Sequence, residues 1–566
     1  MTQTRTFLLF AWLMVAALLW MEWNKEQLAA RAPIAPAATT TTAAVPNSAG
    51  VPGAGAVPVA GVPAAGAPGA AATAPGMTAA PAAAAPVTVT TDVLRVVLDG
   101  GELREADLLA YPSTRDPKSP PVRLFAPDPA NYFVARSGWV GQGVAAPGVG
   151  AFQPDGVAGS VALATGANEL AVPFTWTGAD GVTVRRTYTF RRGQYVVGVR
   201  DDVVNRGTAP WSAYVSRELT RVPRALVSGG PMSAEQYSFQ GAAWFSSEEK
   251  YDKRQYDDFL DDGPLDQQVT GGWIGMLQHH FFASWIPQPD QAALFTLRQA
   301  DGRYTIEARG PAFTVAPGTQ ATTQARLWVG PKLVKQIEAE KVPGLERAVD
   351  FSTYDLFATL AGWLFWVLEK IHALLGNWGW AIVGLVVLLK LALYPLSAAQ
   401  YKSMAKMRKF QPRIKQLQER YGDDRQKLQM AMMELYKKEK INPVGGCLPI
   451  LLQMPVFLAL YWMLSESVEL RHAPWIGWIQ DLTARDPFFV LPVLNIAVMW
   501  FAQKLNPTTG MDPMQQKMLQ FMPLVFGVMF AFFPAGLVLY WVTNGAIGLL
   551  QQWWMIRRYS EEPVKV

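Results

Sequence analysis

Long apolar runs occur at the start of the chain and in its last third, with mixed polar and apolar positions between them. The first run covers residues 7–21, behind Arg5. Five more runs cover residues 378–396, 446–464, 488–502, 518–533 and 536–556. Most approach the roughly 20 residues that a helix needs to cross a bilayer, and the two shortest need a thin or tilted crossing. The pattern therefore predicts six transmembrane helices.

The first run predicts an uncleaved membrane helix over residues 1–23, with a cleaved signal peptide as the alternative. The nearest small residues suited to cleavage, Ala30 and Ala32, lie about nine residues beyond the run, behind several charged positions. Trp20 and Trp23 stand where aromatic rings anchor a helix at the membrane surface. These features favour a helix that is retained.

Residues 32–91 contain no charged side chain and consist mainly of Ala, Pro, Gly, Thr and Val, without a repeat. Such a composition cannot bury a core, so a disordered linker is predicted.

Residues 92–330 change to short alternating segments, in which Val182, Val184 and Tyr188 share one face and polar residues share the other. Turn sequences such as Ala300-Asp301-Gly302 separate these segments. This pattern predicts a large antiparallel β-sandwich. A short polar helix after Pro331 completes the predicted domain, over residues 92–350.

Residues 351–375 also show helical periodicity, but Asp355, Glu369, Lys370 and His372 interrupt the apolar positions. We expect an amphipathic helix lying in the membrane interface. Residues 376–566 would then form a core of five membrane helices.

The segment between the second and third predicted membrane helices is strongly basic. Residues 398–441 hold twelve Lys and Arg against five Asp and Glu, a net charge of +7. Basic loops stay in the cytoplasm, so this loop is predicted to be cytoplasmic. Counting crossings from it places both termini in the cytoplasm and the β-domain in the periplasm of a multi-pass inner-membrane protein.

Within this loop, apolar residues recur at three- and four-residue steps on both sides of Gly422-Asp423-Asp424, which predicts an antiparallel helical hairpin. Its candidate contact residues are Met404, Met407, Arg408 and Met432. Methionine suits a surface that accepts varied apolar partners, although ordinary core packing explains it equally. The basic face suits anionic lipid or ribosomal RNA, and a solvated face without a partner is the alternative.

Polar residues inside the predicted membrane helices are the candidate functional groups. Lys390 lies within an apolar run, where a lysine costs about 2.5–3.5 kcal/mol on insertion scales. It either lines a functional cavity or extends its ammonium to the membrane surface. Gln453, Asn495, Thr543 and Asn544 either line the same wet cavity or form hydrogen bonds between helices.

The sequence gives no sign of catalysis, and no enzyme activity, cofactor or metal ion is predicted. There is one cysteine, and the four histidines lack the spacing of a zinc site. No phosphate-binding loop or nucleophile motif is present. The acidic segment 251–262 could flank a sugar with two carboxylates, or form a solvated loop.

Several segments closely resemble the membrane protein insertases of the YidC family. The resemblance is carried by NPVGGCLPILLQMPVFLALY at 442–461, YPLSAAQYKSMAKMR at 394–408, NPTT at 506–509, DPMQQK at 512–517 and FPAGLVLY at 533–540. In the β-domain, GGWIGMLQ at 271–278 and WIP at 285–287 are similar to the periplasmic domain of the same family.

The resemblance implies a protein that inserts and helps to fold inner-membrane proteins, alone or with the Sec translocon. Nascent inner-membrane proteins would be its substrates, and no DNA is involved. It further implies a periplasmic supersandwich similar to sugar-binding folds. The family commonly has arginine where this chain has Lys390, so the positive charge is kept without the planar fork of arginine.

The same resemblance implies a hydrophilic groove open to the cytoplasm and an apolar slide on the third and fifth membrane helices. By helix membership the slide residues are Met454, Phe457, Leu458, Phe521, Phe526 and Met529. Two other functions stay open from the sequence: a secondary transporter, and a membrane-anchored periplasmic sugar-binding protein.

Overall fold

Strands occupy the described chain up to Pro331, and helices follow. The computed structural model describes residues 85–224, 238–261, 263–352, 354–398, 410–421, 424–438, 448–505 and 513–560. The predicted first helix, the predicted linker as far as residue 84, and Met404, Met407 and Arg408 lie outside these residues.

The strands form two sheets whose buried faces contribute to a common hydrophobic core. The larger sheet contains β1 Val87–Thr90, β2 Leu94–Asp99, β3 Glu102–Pro112, β4 Pro121–Phe125, β5 Phe133–Gly141, β7 Ser160–Ala162, β11 Trp211–Arg221, β14 Asp266–Thr270, β17 Ala292–Ala300, β18 Arg303–Arg309 and β19 Phe313–Val315. The smaller sheet contains β6 Gln153–Pro154, β8 Glu169–Thr177, β9 Val182–Arg191, β10 Val196–Asn205, β12 Gly241–Ser246, β13 Lys250–Gln255, β15 Trp273–Leu277, β16 Phe281–Pro287 and β20 Gln320–Pro331.

The order of strands in each sheet differs from their order in the chain. In the larger sheet it is β14-β17-β18-β11-β5-β3-β2-β1-β7, with β19 beside β11 and β4 beside β3. In the smaller sheet it is β13-β12-β15-β16-β20-β10-β9-β8-β6. Strands far apart in the chain, such as β10 and β20, are therefore direct neighbours.

The β-domain begins at Val87 and not at Asp92, so the predicted linker is too long at its end. Val87 and Val89 are buried, and β1 pairs with β2 in an antiparallel register. The alternation of valine and threonine in β1 is hidden in the sequence because the linker before it is rich in the same residues. The sequence predicts the alternation of β9 correctly, since Val182, Val184 and Tyr188 are buried.

The acidic segment 251–262 is only partly a loop. Residues up to Gln255 belong to strand β13 at the edge of the smaller sheet, and a turn follows them. Tyr256 and Phe259 are buried in this turn and pack against Tyr304. The segment is therefore anchored by its aromatic residues, while most of its charged groups face solvent.

Arg186 of β9 also points into the core, where a sequence pattern would place an apolar residue. Its guanidinium is fully buried and makes two hydrogen bonds of 2.7 Å with Asp201 of β10. Asp201 also accepts a hydrogen bond from the indole of Trp139, on β5 of the other sheet, at 2.8 Å. The buried pair thereby joins the two sheets.

We expect Arg186→Met to lower the free energy of unfolding by about 3–5 kcal/mol, because the buried Asp201 carboxylate loses its directly hydrogen-bonded ion-pair partner. The matched control is Arg191→Met on the same strand. The ion pair of Arg191 with Glu169 is largely exposed, so its loss should cost at most about 1 kcal/mol. Urea unfolding followed by tryptophan fluorescence measures both changes. Equal losses would contradict the prediction.

After β20 the described chain is helical. Its helices are α1 Val334–Ala339, α2 Asp355–Leu375, α3 Trp378–Ala392, α4 Gln411–Tyr421, α5 Arg425–Lys438, α6 Leu448–Glu466, α7 Val490–Leu505, α8 Pro513–Phe530 and α9 Ala535–Ser560, with short 3-10 helices at Leu345–Val349 and Val468–Leu470. The five apolar runs of the last third correspond to α3, α6, α7, α8 and α9. Helices α4 and α5 lie between α3 and α6, within residues 398–441, where the sequence predicts a helical hairpin.

Helices α2 and α3 are separated by a sharp break. Gly376 ends α2 with a φ of 67°, a conformation that glycine adopts at low cost, and the side chain of Asn377 caps α3 by accepting from the Trp380 N–H. One face of α2 is buried through Leu364 and Leu368, while its opposite face is exposed. This asymmetry is typical of a helix at an interface.

Length and composition alone would also allow α2 to cross a membrane, as the one helix of the described chain that meets both criteria. Helices α3 and α7 and residues 517–530 of α8 are apolar but shorter. The 15 residues of α3 extend over only about 22 Å. To cross a membrane, helices of these lengths would need either a thinned bilayer or helical continuation at their ends.

Helices α4 and α5 lie against each other, and Ile414 of α4 is buried. The carboxylate of Asp424 caps α5 by accepting from the backbone N–H groups of Gln426 and Lys427. Met432 is half-buried on α5, whereas Met430 and Met433 are exposed.

Candidate functional site

Three helices, α3, α6 and α9, surround a small polar cavity in the helical part of the chain. It is lined by Val386, Leu389, Lys390, Leu393, Ser397, Gln453, Val456, Tyr540 and Asn544. The spacing within each helix explains this grouping, because residues three, four or seven positions apart share a helix face. Val386 and Lys390, Gln453 and Val456, and Tyr540 and Asn544 each follow this rule.

The polar side chains of α6 and α9 meet inside the cavity. The Gln453 side-chain N–H donates to the amide oxygen of Asn544 at 3.4 Å, and Tyr540 lies beside them. This bond uses one donor of Gln453 and one acceptor site of Asn544. The Tyr540 hydroxyl also lies within hydrogen-bonding reach of Gln453, so two amides and a hydroxyl together form a polar side of the cavity.

Lys390 provides the positive charge of the cavity. A Cβ atom added at Gly548 of α9 would lie 3.5 Å from its Nζ, so the ammonium lies directly against the glycine. Among the described residues, no Asp or Glu lies within ion-pair distance of Lys390. About 20 Å³ of the cavity admits the centre of a water molecule, which is enough for at least one ordered water.

Two of the polar residues singled out in the sequence lie elsewhere. Asn495 is buried in α7, where its amide N–H donates to the sulfur of Met499 at 3.7 Å. Thr543 precedes Asn544 on α9, but adjacent helix residues point about 100° apart and Thr543 does not line the cavity. The sequence did not lead us to predict that Ser397 and Tyr540 line the cavity. The available signal was spacing, since Ser397 lies seven residues after Lys390 and Tyr540 lies four residues before Asn544.

The six candidate slide residues divide between exposed and packed positions. Met454 and Phe521 are exposed, and Leu458 is half-buried. The ring of Phe457 packs on Trp541 at a centroid distance of 4.8 Å, and Phe526 stacks on Phe530 at 6.3 Å. Met529 is also packed against the core.

The exposed face of α8 instead consists of Phe521, Leu524, Val525 and Val528. These positions follow helical spacing and form a continuous apolar stripe. When a run is apolar on all sides, the sequence does not show which side of the helix is exposed. The stripe could therefore be identified only from the structure.

The described part of the chain holds no group of three His, Cys, Asp or Glu side chains arranged to bind a metal ion. The cavity contains amides, hydroxyls and one amine. These groups bind polar or anionic segments by hydrogen bonding and charge, and none of them is a nucleophile with an adjacent base.

Comparison with known proteins gives full-length matches. The family described as 60Kd inner membrane protein matches residues 370–562, and the YidC periplasmic domain family matches residues 86–367. The membrane protein insertase YidC of Stenotrophomonas maltophilia strain R551-3 is 61% identical, with 100% of this chain and 98% of the relative covered. That of Xanthomonas euvesicatoria pv. vesicatoria strain 85-10 is 59% identical, with 100% and 99% covered.

Solved structures are similar at lower levels. An active YidC insertase with its first transmembrane domain resolved has a TM-score of 0.36 and 18% identity, over 83% of this chain and 94% of that one. A galactose mutarotase-like protein from Lactobacillus casei has a TM-score of 0.28 and 11% identity, over 43% of this chain and 99% of that one. The family assignment rests on the full-length relatives and on the two family matches. This chain belongs to the YidC family of membrane protein insertases, inner-membrane proteins with a periplasmic domain.

Proposed function

We propose that this insertase moves the polar tail of a substrate through the cavity between α3, α6 and α9, and releases the substrate's apolar helix along α8. The observation that carries the proposal is Lys390, a cation set among polar groups and without a carboxylate partner among the described residues. A positive, hydrated site lowers the cost of bringing an acidic tail into the membrane. No chemical energy is needed, since transfer of about 20 apolar residues into lipid is strongly favourable.

The topology proposed for this mechanism has six membrane helices, with both termini and the α4–α5 hairpin in the cytoplasm. The support is the charge of residues 398–441 together with the five apolar helices that follow the β-domain. In this arrangement α2 lies along the periplasmic surface, as its single buried face favours. Met404, Met407, Arg408 and Met432 would belong to the cytoplasmic hairpin.

The proposed partners are nascent inner-membrane proteins, with the Sec translocon as an associated machine. The α4–α5 hairpin is basic, so it is a candidate surface for binding the ribosome or anionic lipids. We propose no catalytic residue and no cofactor. The full-length relatives favour insertion over the two functions left open by the sequence, transport of a small solute and periplasmic sugar binding.

Depletion of this protein in its native host tests the proposal as a whole. Small inner-membrane proteins with short acidic periplasmic tails should fail to insert, and a restored copy of the gene should recover insertion. Normal insertion of all such substrates after depletion would contradict the proposed mechanism.

The stripe on α8 gives a separate expected result. Phe521→Ser combined with Val525→Ser should slow insertion about tenfold, because two apolar contacts with the departing substrate helix are lost. The control is Leu550→Ser, an equally exposed apolar position on α9. Rates are measured for one substrate at matched amounts of insertase, and a similar slowing by the control would argue against a specific path along α8.

A further inference from the structure

The β-domain contacts the outer end of α6 through a buried ion pair. Lys332 directly follows β20, and its side chain is fully buried with Nζ 3.5 Å from Oε2 of Glu466. Glu466 is the last residue of α6, and its side chain is 7% exposed. The hydroxyl of Ser238 donates to the same carboxylate oxygen at 3.1 Å. Two segments of the β-domain therefore hold one carboxylate of the helical core.

A pair of histidines strengthens this contact. Nε2 of His279 lies 2.9 Å from the backbone carbonyl oxygen of Ser465. A carbonyl only accepts, so Nε2 carries the proton. His280 stacks on His279 at a centroid distance of 3.7 Å, and burial lowers the pKa of His280 well below its usual 6.5. His280 is therefore uncharged at neutral pH.

The loop after α6 is attached to the same domain. Arg471 donates to the backbone carbonyl of Pro112 at 2.9 Å, and Arg115 lies 4.0 Å from the carboxylate of Asp481. Burial raises the pKa of Glu469, beside the backbone N–H of Val334, to about 7. The outer end of α6 is thus enclosed by groups from the β-domain on several sides.

A buried ion pair is a poor means of stabilising a fold, because apolar residues of similar size do so equally well. Its distinctive property is geometric, since both charges are satisfied only in one alignment. Rotation of α6 by one residue would turn the Glu466 side chain by about 100° away from Lys332. The pair therefore selects one rotation and one height of the helix.

Helix α6 also carries Gln453 and Val456, which line the cavity opposite Lys390. Val456 lies about 15 Å along the helix from Glu466. Pro455, which interrupts the hydrogen bonding of α6, falls just beyond Val456, so the segment between Val456 and Glu466 contains no proline. This segment can transmit the alignment set at one end to the wall of the cavity.

We propose that Lys332 and Glu466 are positioning residues for insertion. They fix the rotation and height of α6 and so hold one wall of the cavity between α3, α6 and α9 in place. The inference rests on the groove proposed above. The β-domain, on the periplasmic side, thereby influences the geometry of a cavity that opens to the cytoplasm.

Charge reversal tests the pair. Lys332→Glu and Glu466→Lys should each reduce insertion about tenfold, and the double reversal should recover most of the activity, because it restores opposite charges. The matched control is Lys335→Glu, which reverses a mostly exposed lysine paired with Glu369 between the same domain and α2. This control should insert normally.

Labelling of a reporter separates positioning from mere stability. In a chain with Cys447→Ser and Val456→Cys, each single reversal should change the rate of labelling by a water-soluble maleimide at least about threefold, and the double reversal should restore it. A reversed charge could prevent folding, so Glu466→Gln serves as a second variant that removes the charge but keeps the size of the side chain. It should shift the rate of labelling in the same direction.

Unchanged insertion by the single reversals and by Glu466→Gln would overturn the proposal. So would a loss of insertion without a change in labelling, or a loss that the double reversal fails to recover. Lys390→Ala is assayed in parallel on an acidic-tailed substrate. If Lys390→Ala inserts normally while the reversals fail and alter labelling, the groove charge is refuted and the positioning role stands.

Discussion

Lys390→Glu should slow the insertion of substrates with acidic tails more than any other single substitution in the groove. Lys390→Ala removes an attraction worth about 1–2 kcal/mol in a partly hydrated site, which corresponds to about tenfold in rate. Lys390→Glu replaces that attraction with repulsion and should reach about a hundredfold. Lys390→Arg should retain activity because it keeps the charge. Initial insertion rates at matched protein levels measure the series.

A neutral-tailed version of the same substrate is the internal control for this series. Its insertion should change little in all three variants, because a neutral tail gains little from the cation. If Lys390 instead served only as a membrane-surface anchor, the acidic and neutral tails would respond alike. Equal rates for Lys390 and Lys390→Ala on the acidic tail would falsify the role of charge in the groove.

Gly548 offers a second way to remove the same charge. A Cβ at this position would lie 3.5 Å from the Lys390 ammonium, an ordinary contact distance, so the carboxylate of Gly548→Asp can pair with it. This variant should mimic Lys390→Ala on acidic tails, while the isosteric Gly548→Asn keeps the cation free and should have a smaller effect. If both variants slow the insertion of neutral and acidic tails equally, the cause is the added side-chain volume at Gly548 and not the neutralisation of Lys390.

The sequence predicts the helical part of the fold well, because run length and apolarity are local signals. Each of the last five apolar runs corresponds to a helix within a few residues. The sheets are different. The alternation of β9 identifies it as a strand, but the pairing of β10 with β20 depends on contacts between distant segments. Local patterns contain no information about such partners.

The candidate site, like the fold, could be predicted from local signals but not from contacts between distant segments. Polar residues in apolar runs identify Lys390, Gln453 and Asn544, which the structure brings into one cavity. The sequence could not exclude Asn495 or Thr543, because an apolar run does not reveal how each helix is rotated. The pair Lys332–Glu466 joins residues 134 positions apart, and a lysine after a strand normally predicts exposure.

Removal of the α4–α5 hairpin should abolish insertion while leaving the protein in the membrane. Replacing residues 400–440 with a short glycine-serine linker removes both α4 and α5, which lie against each other and not within the helical core around the cavity. The remaining apolar helices keep their lengths, so membrane integration should persist. Carbonate extraction measures integration, and insertion of an acidic-tailed substrate measures function.

The cause of that loss can be resolved with two further variants. Met430→Ser combined with Met433→Ser removes the exposed apolar side chains of α5 but keeps its charge. Replacing Lys427, Lys437 and Lys438 with Gln removes charge but keeps the apolar residues. If the hairpin receives apolar substrate segments, the first variant should be several-fold slower than the second, because contact with a substrate helix is chiefly apolar. If it works through anionic lipid or ribosomal RNA, the order reverses, and the defect of the charge variant should shrink as salt screens the lost attraction. Full activity of the deletion would exclude both roles.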